Sequence, residues 1–142
     1  MHGPGEELSK ISNVLIVEDE ILVALDIEEI LSRAGFRVIG IAPDSLSLPA
    51  GGDDPDAVPH LAFVDLNLRD GMTGPQIACR LAELHNTQIV YVTANPSQIS
   101  PRAGTAIGYI RKPYTDEAIL AAALTAAGQS DRTMPTGEFV RF

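Results

Sequence analysis

Three acids, one hydroxyl residue and one lysine pose the chemical question in this chain. Glu18 and Asp19 follow the aliphatic run "VLIV" at 14–17, and Asp65 closes "LAFV" at 61–64. Thr93 closes "QIVYV" at 88–92, and Lys112 follows "GYIR" at 108–111. Acids delivered straight from a buried apolar run are crowded and partly desolvated, which raises their pKa values and opposes folding. Two carboxylates ~4 Å apart repel by on the order of 4 kcal/mol at an effective dielectric of about 20. A divalent cation relieves that repulsion. Mg²⁺ prefers oxygen, keeps several waters, and is usually held by one or two carboxylates plus a phosphate. A carboxylate can also be a nucleophile and form an aspartyl phosphate. Phosphoryl transfer asks mainly for positioning and charge neutralisation. Lys112 supplies a cation for a phosphoryl oxygen, and Thr93 supplies a hydrogen bond.

These five residues meet only if the runs that carry them are strands of one sheet. The pattern supports this. "NVLIV" (13–17), "FRVIGIA" (36–42), "LAFVD" (61–65), "QIVYVT" (88–93) and "GYIR" (108–111) are short, apolar and rich in β-branched residues. Between them lie helical segments. Residues 20–34 carry Val23, Ile27, Ile30, Leu31 and Ala34 at helical spacing, with Asp26, Glu28 and Glu29 turned outward and Gly35 at the C-terminal end. A helix starting near Pro75 and running to His85 turns Ile77, Ala78, Leu81 and Leu84 inward. Thr115 can cap a final Ala-rich helix over 116–127, closed by Gly128. Strands alternating with helices give an α/β fold, a doubly wound parallel sheet with helices on both faces. Ligands in such sheets bind at the carboxyl ends of the strands, where all five residues fall.

Two connections are too broken for full helices. "PDSLSLPAGGDDPDAVPH" (43–60) holds Pro49, Gly51, Gly52, Pro55 and Pro59, enough for one turn. "ANPSQISPRAGTAIG" (94–108) allows one turn capped by Asn95 with Pro96 at its first position. Pro101 and Gly104 stop any continuation. Residues 95–106 are therefore expected to be irregular or mobile. Residues 1–12 read as a flexible tail and 13–127 as one domain. Residues 128–142 read as a polar C-terminal tail.

Composition narrows the function classes. The 142 residues, 45% of them hydrophobic, suit one domain with its own core. A net charge of −9 argues against non-specific nucleic-acid binding, which needs basic surface. A single cysteine, Cys79, excludes an internal disulfide and a Cys-x-x-Cys metal site, and its helical spacing suits packing. No run suits export or membrane spanning, so a cytoplasmic protein is expected. His2, His60 and His85 lie in unrelated segments and take no role. Glu20 suits the first turn of a helix better than a ligand position. "DLNLRDG" is no calcium loop, since its glycine comes seventh rather than sixth and Gln76 stands where the twelfth-position Glu belongs.

Taken together, "VLIVEDE", "FVDLNLRDGMTG", "IVYVTAN" and "GYIRKPY" resemble the motifs of the receiver domain of two-component response regulators (CheY-like), in the family's order, over about residues 13–127. The resemblance implies a five-stranded sheet of order 2-1-3-4-5, here with the second and fourth helices short or irregular. It implies Asp65 as phosphoacceptor and Mg²⁺, with Mn²⁺ as a substitute, held by Glu18, Asp19, Asp65 and the backbone carbonyl of Asn67. Thr93 matches the switch hydroxyl, Tyr109 the switch aromatic and Lys112 the lysine that contacts the phosphoryl group. Pro113 matches a proline often preceded by a cis peptide bond. The implied partners are a histidine kinase or histidine phosphotransfer protein and an unidentified protein target, with no nucleic acid and no membrane, in a monomer or weak homodimer. With little chain after residue 127, a stand-alone receiver is expected. It would catalyse only its own phosphorylation and dephosphorylation rather than turn over as an enzyme. A metal-dependent phosphohydrolase using Asp65 would need an acid two residues on, where Asn67 cannot transfer protons. A degenerate receiver that only binds partners would not need the intact acid, threonine and lysine set. A flavin-binding site would need a phosphate loop after the first strand, where "EDEI" would repel phosphate.

Overall fold

In the computed structural model, residues 13–48, 54–129 and 137–142 are described. The expected tail at 1–12 and the glycines at 51 and 52 lie outside them. The chain runs β1 (Asn13–Val17), α1 (Ile21–Arg33), β2 (Arg37–Ala42), β3 (Leu61–Asp65), α2 (Gly74–His85), β4 (Gln88–Thr93), β5 (Ala106–Arg111), α3 (Asp116–Ala126) and β6 (Phe139–Arg141). Strand order is β2-β1-β3-β4-β5-β6, with the first five parallel. The order expected for the five-stranded sheet holds. β6 is an addition, antiparallel to β5.

Every residue of β1 and β3 is buried, as their unbroken apolar sequences require of central strands covered on both faces. α1 and α3 cover one face, packing Ile27, Leu31, Ile119 and Ala122 on Val14, Ile16, Phe63 and Val90. α2 covers the other, with Ile77, Ala78 and Leu81 on Leu15, Val64, Ile89 and Tyr91. The expected inward sets need two corrections. Ala34 caps α1 and is exposed, while Ala24 is buried instead. Leu84, in the last turn of α2, is 63% exposed because the helix has run past the edge of the sheet core.

Among the described residues, the broken connections hold short 3₁₀ turns, two in the β2–β3 connection, where one was expected, and one in the β4–β5 connection. The β2–β3 connection has Ser45–Ser47 and Pro55–Ala57, and the β4–β5 connection has Pro96–Gln98. The irregular path expected for 95–106 is observed. It is nevertheless anchored: Ala103 is buried and its N–H donates to the Tyr91 hydroxyl at 2.9 Å. Cys79 is half-buried, its thiol 3.7 Å from the Pro101 carbonyl oxygen. The polar-tail reading of 128–142 is corrected where residues are described. Residues 137–142 dock on the sheet, with Phe139 buried against the α1–α3 side of the core.

Candidate functional site

Register brings the strand tips together. Val17 pairs with Val64, which sets Glu18 beside Asp65. Asp65 pairs with Val92, one residue short of Thr93, and Thr93 pairs with Arg111, one short of Lys112. The Lys112 backbone N–H donates to the Thr93 carbonyl at 2.9 Å, so the two strand ends stay locked together. The Lys112–Pro113 peptide bond is cis.

Glu18, Asp19 and Asp65 each offer a carboxylate oxygen, and these atoms lie within 4.8 Å of one another. Glu18 and Asp65 are buried, at 3% and 8% exposed, while Asp19 is open to solvent. Lys112 Nζ donates to Asp65 Oδ2 at 3.0 Å and to Glu18 Oε1 at 3.2 Å. The other oxygens are also engaged. Asp65 Oδ1 accepts from the Asn67 N–H at 3.2 Å, and Glu18 Oε2 accepts from the Glu20 N–H at 3.1 Å. Burial, reinforced by the charge of Asp65, pushes the Glu18 carboxyl up to about 7. Burial alone would lower the Lys112 ammonium. The hydrogen bond and charge of Asp65, with those of Glu18, overcome it and raise the group. One cation thus faces two buried carboxylates, and an acidic surplus remains.

That donor set fits a hard divalent ion. Mg–O distances of about 2.1 Å let two ligands of one ion sit at most about 4.2 Å apart. A spread of up to 4.8 Å therefore calls for a small contraction, or for one ligand acting through a water. The Thr93 hydroxyl, 2% exposed, accepts from the Asn95 N–H at 3.0 Å. Tyr109 is half-buried on β5, its ring centroid 5.9 Å from that of Phe142.

Residues 14–124 match the response regulator receiver domain family. The chain belongs to that family. Among relatives, this receiver is 31% identical over 116 residues to the sensory transduction protein RegX3 of Mycolicibacterium smegmatis, covering 78% of this chain and 48% of the relative. It is 29% identical over 96 residues to the phyllosphere-induced regulator PhyR of Methylorubrum extorquens, covering 66% of this chain and 36% of the relative. The receiver thus spans about half the length, or less, of these two relatives. Its fold is that of the CheY-like receiver domain protein of Methanospirillum hungatei, with TM-score 0.67, 22% identity, and 84% and 95% of the two chains covered. The PhyR receiver domain of Erythrobacter litoralis is equally similar in fold, with TM-score 0.67, 19% identity, and 87% and 95% covered.

All the residues singled out from the receiver's sequence lie at or beside one end of the sheet. Asn67, two residues after Asp65, has its side chain exposed, and Tyr109 lies two residues inside the tip of β5. Three supporting features escape sequence reasoning. Gly74 is one: a Cβ there would stand 2.1 Å from the Asp65 carbonyl oxygen and 2.6 Å from the Leu66 Cα, so only glycine lets α2 begin directly under the acceptor strand. The Gly-Pro pair at 74–75 was the available signal. The second is a brace across the loop after Asp65. The Arg69 guanidinium holds the buried Asp44 carboxylate, and Asp70 accepts from the Ser45 and Thr73 hydroxyls at 2.6 Å. The third is Phe142 against Tyr109, a contact between residues 33 apart in sequence that no local pattern announces.

Proposed function

We propose that this receiver takes a phosphoryl group onto Asp65 from the phosphohistidine of a histidine kinase or histidine phosphotransfer protein, and that the acyl phosphate changes which protein it binds. The observation that carries this is the convergence of Glu18, Asp19, Asp65 and Lys112 on one strand-tip cluster. Asp65 is the nucleophile. An oxygen of its carboxylate bonds to phosphorus as the bond from phosphorus to the donor nitrogen breaks, and the imidazole leaves with the electron pair and a proton. Lys112, already on Asp65 Oδ2, faces an oxygen of the arriving group. Thr93 turns to donate its O–H to a second phosphoryl oxygen, which takes its own oxygen off the Asn95 N–H.

Asp19 and Asp65, with Glu18 directly or through a water and the Asn67 carbonyl, would hold Mg²⁺ or Mn²⁺. When bound, the ion neutralises charge on the phosphoryl oxygens during transfer. Asn67 and Asn95 flank the path of an attacking water without being able to act as bases, so they tune phosphate lifetime. The domain catalyses its own modification and its own hydrolysis and is otherwise a binding switch. Titration with beryllofluoride in the presence of Mg²⁺ tests the reading. One equivalent should bind in the wild type and none in Asp65→Asn. Equal binding to both proteins overturns it.

A further inference from the structure

The residues after α3 return to the flank of the site. β6 runs antiparallel to β5, with Gly108 opposite Arg141 and Ile110 opposite Phe139. Two glycines make the room. A Cβ on Gly108 would stand 2.3 Å from the Val140 carbonyl oxygen and 2.7 Å from the Phe139 ring. Gly137, at φ +57°, would put a Cβ 2.6 Å from Thr115 Oγ1 and 2.9 Å from the Ala118 nitrogen at the start of α3. Phe142 ends the run. Its N–H donates to the Ile107 carbonyl at 3.0 Å, and its ring lies 5.9 Å from Tyr109 and 6.4 Å from Tyr91. The Arg102 guanidinium sits 4.2 Å over the ring. The attachment is shallow: three residues pair, and Val140 and Phe142 stay 43% and 46% exposed.

Phe142 therefore sits where β4, β5 and the β4–β5 connection meet, and those two strands end in Thr93 and at Lys112. We propose that residues 137–142 form a strap that holds Tyr109 half-buried in the unphosphorylated domain and is released when Asp65 is phosphorylated. The proposal rests on the phosphoacceptor reading above. The Thr93 hydroxyl now holds the Asn95 N–H, at the head of the connection that carries Arg102 and Ala103. A phosphoryl oxygen on Asp65 accepts the Thr93 O–H, and the side-chain rotation this needs draws the hydroxyl oxygen off the Asn95 N–H. Once Thr93 turns away, the head of the connection loses its tether. Arg102 then shifts over the Phe142 ring, and Tyr109 gains room to turn inward. Ring stacking and cation–π contact depend on geometry, so Phe142 loses its seat on two sides together. The short strand that it anchors then leaves the β5 edge, uncovering a row of backbone donors and acceptors able to pair with an extended segment.

The chain contains no tryptophan, so Phe142→Trp places a single fluorescent reporter on the strap. The 142-residue chain is compared with Mg²⁺ alone and with Mg²⁺ plus beryllofluoride, with bound fluoroberyllate read by ¹⁹F NMR. Hydrogen exchange on the wild type avoids reliance on the variant. The expected result is bound fluoroberyllate, red-shifted and more quenchable emission from the introduced indole, and amide exchange over 107–110 faster by about tenfold. Gly108→Val, which crowds β6 off its edge, should show that fast exchange without beryllofluoride. Bound fluoroberyllate with the indole emission unchanged and residues 107–110 unchanged or more protected overturns the strap and leaves the phosphoacceptor reading standing. No bound fluoroberyllate in the wild type overturns both.

Discussion

Replacing Glu18 by Gln should remove a loss of stability that the metal-free protein suffers as pH rises, while weakening its hold on Mg²⁺. Glu18 is 3% exposed, and burial followed by the Asp65 charge pushes its carboxyl from 4.5 up to about 7. A carboxyl whose folded pKa exceeds its unfolded one favours folding most below the unfolded value. That contribution is lost as pH rises through the folded value, here between about 4.5 and 7. At ~1.4 kcal/mol per pH unit the span caps the ionisation penalty at roughly 3 kcal/mol, and solvent reaching the site through exposed Asp19 lowers the expected figure to about 1–2 kcal/mol. Gln keeps the shape but has one acceptor oxygen, so it retains the bond from the Glu20 N–H or the one from Lys112 and loses the other at every pH; the ionisation shows in the part of the difference that changes with pH. Urea unfolding of both proteins without divalent metal should show Glu18→Gln gaining about 1–2 kcal/mol on the wild type between pH 4 and pH 8.5. Mg²⁺ should shrink that gain at pH 8.5. At tenfold excess over Kd the wild type gains about 1.4 kcal/mol, and the variant gains less. A stability difference between the two proteins that stays the same from pH 4 to pH 8.5 in the absence of metal would refute the reasoning.

Other outcomes follow from the same contacts. Gly74→Ala should destabilise the domain by about 2 kcal/mol or more and displace Asp65, because the new methyl meets backbone with no flexible neighbour to yield. Thermal unfolding and beryllofluoride affinity should both fall. Tyr91→Phe leaves the buried Ala103 N–H without its acceptor and should cost about 1–3 kcal/mol, with faster amide exchange at Ala103. Charged substitutions at Asn67 and Asn95 should change the dephosphorylation rate, followed by loss of the acyl phosphate with time, with little effect on stability because both side chains are exposed.

The sheet and the strand-tip cluster were legible because β1 and β3 are uninterrupted aliphatic runs ending in acids, a pattern that a doubly covered parallel sheet demands. Prolines and glycines announced the missing crossover helices just as directly. What escaped was set by distant partners. Helical period names the inward side of α2, but the extent of the sheet beneath it decides that Leu84 is left in solvent. "EFVRF" is too short and too charged to read as a strand. It becomes one because Gly108, far upstream in the chain, leaves a notch for Phe139. The contact between Lys112 and Glu18 joins residues 94 apart and exists only once four strands, β1, β3, β4 and β5, are in register.

The residue that takes the phosphate is the most direct test of Asp65 as acceptor. Incubation of the full chain with acetyl phosphate and Mg²⁺, followed by intact mass and then borohydride trapping and peptide mapping, should show one added phosphoryl group at Asp65. None should appear in Asp65→Asn or when Mg²⁺ is chelated. Labelling of Asp65→Asn at the wild-type rate, or trapping at another carboxylate, would contradict it.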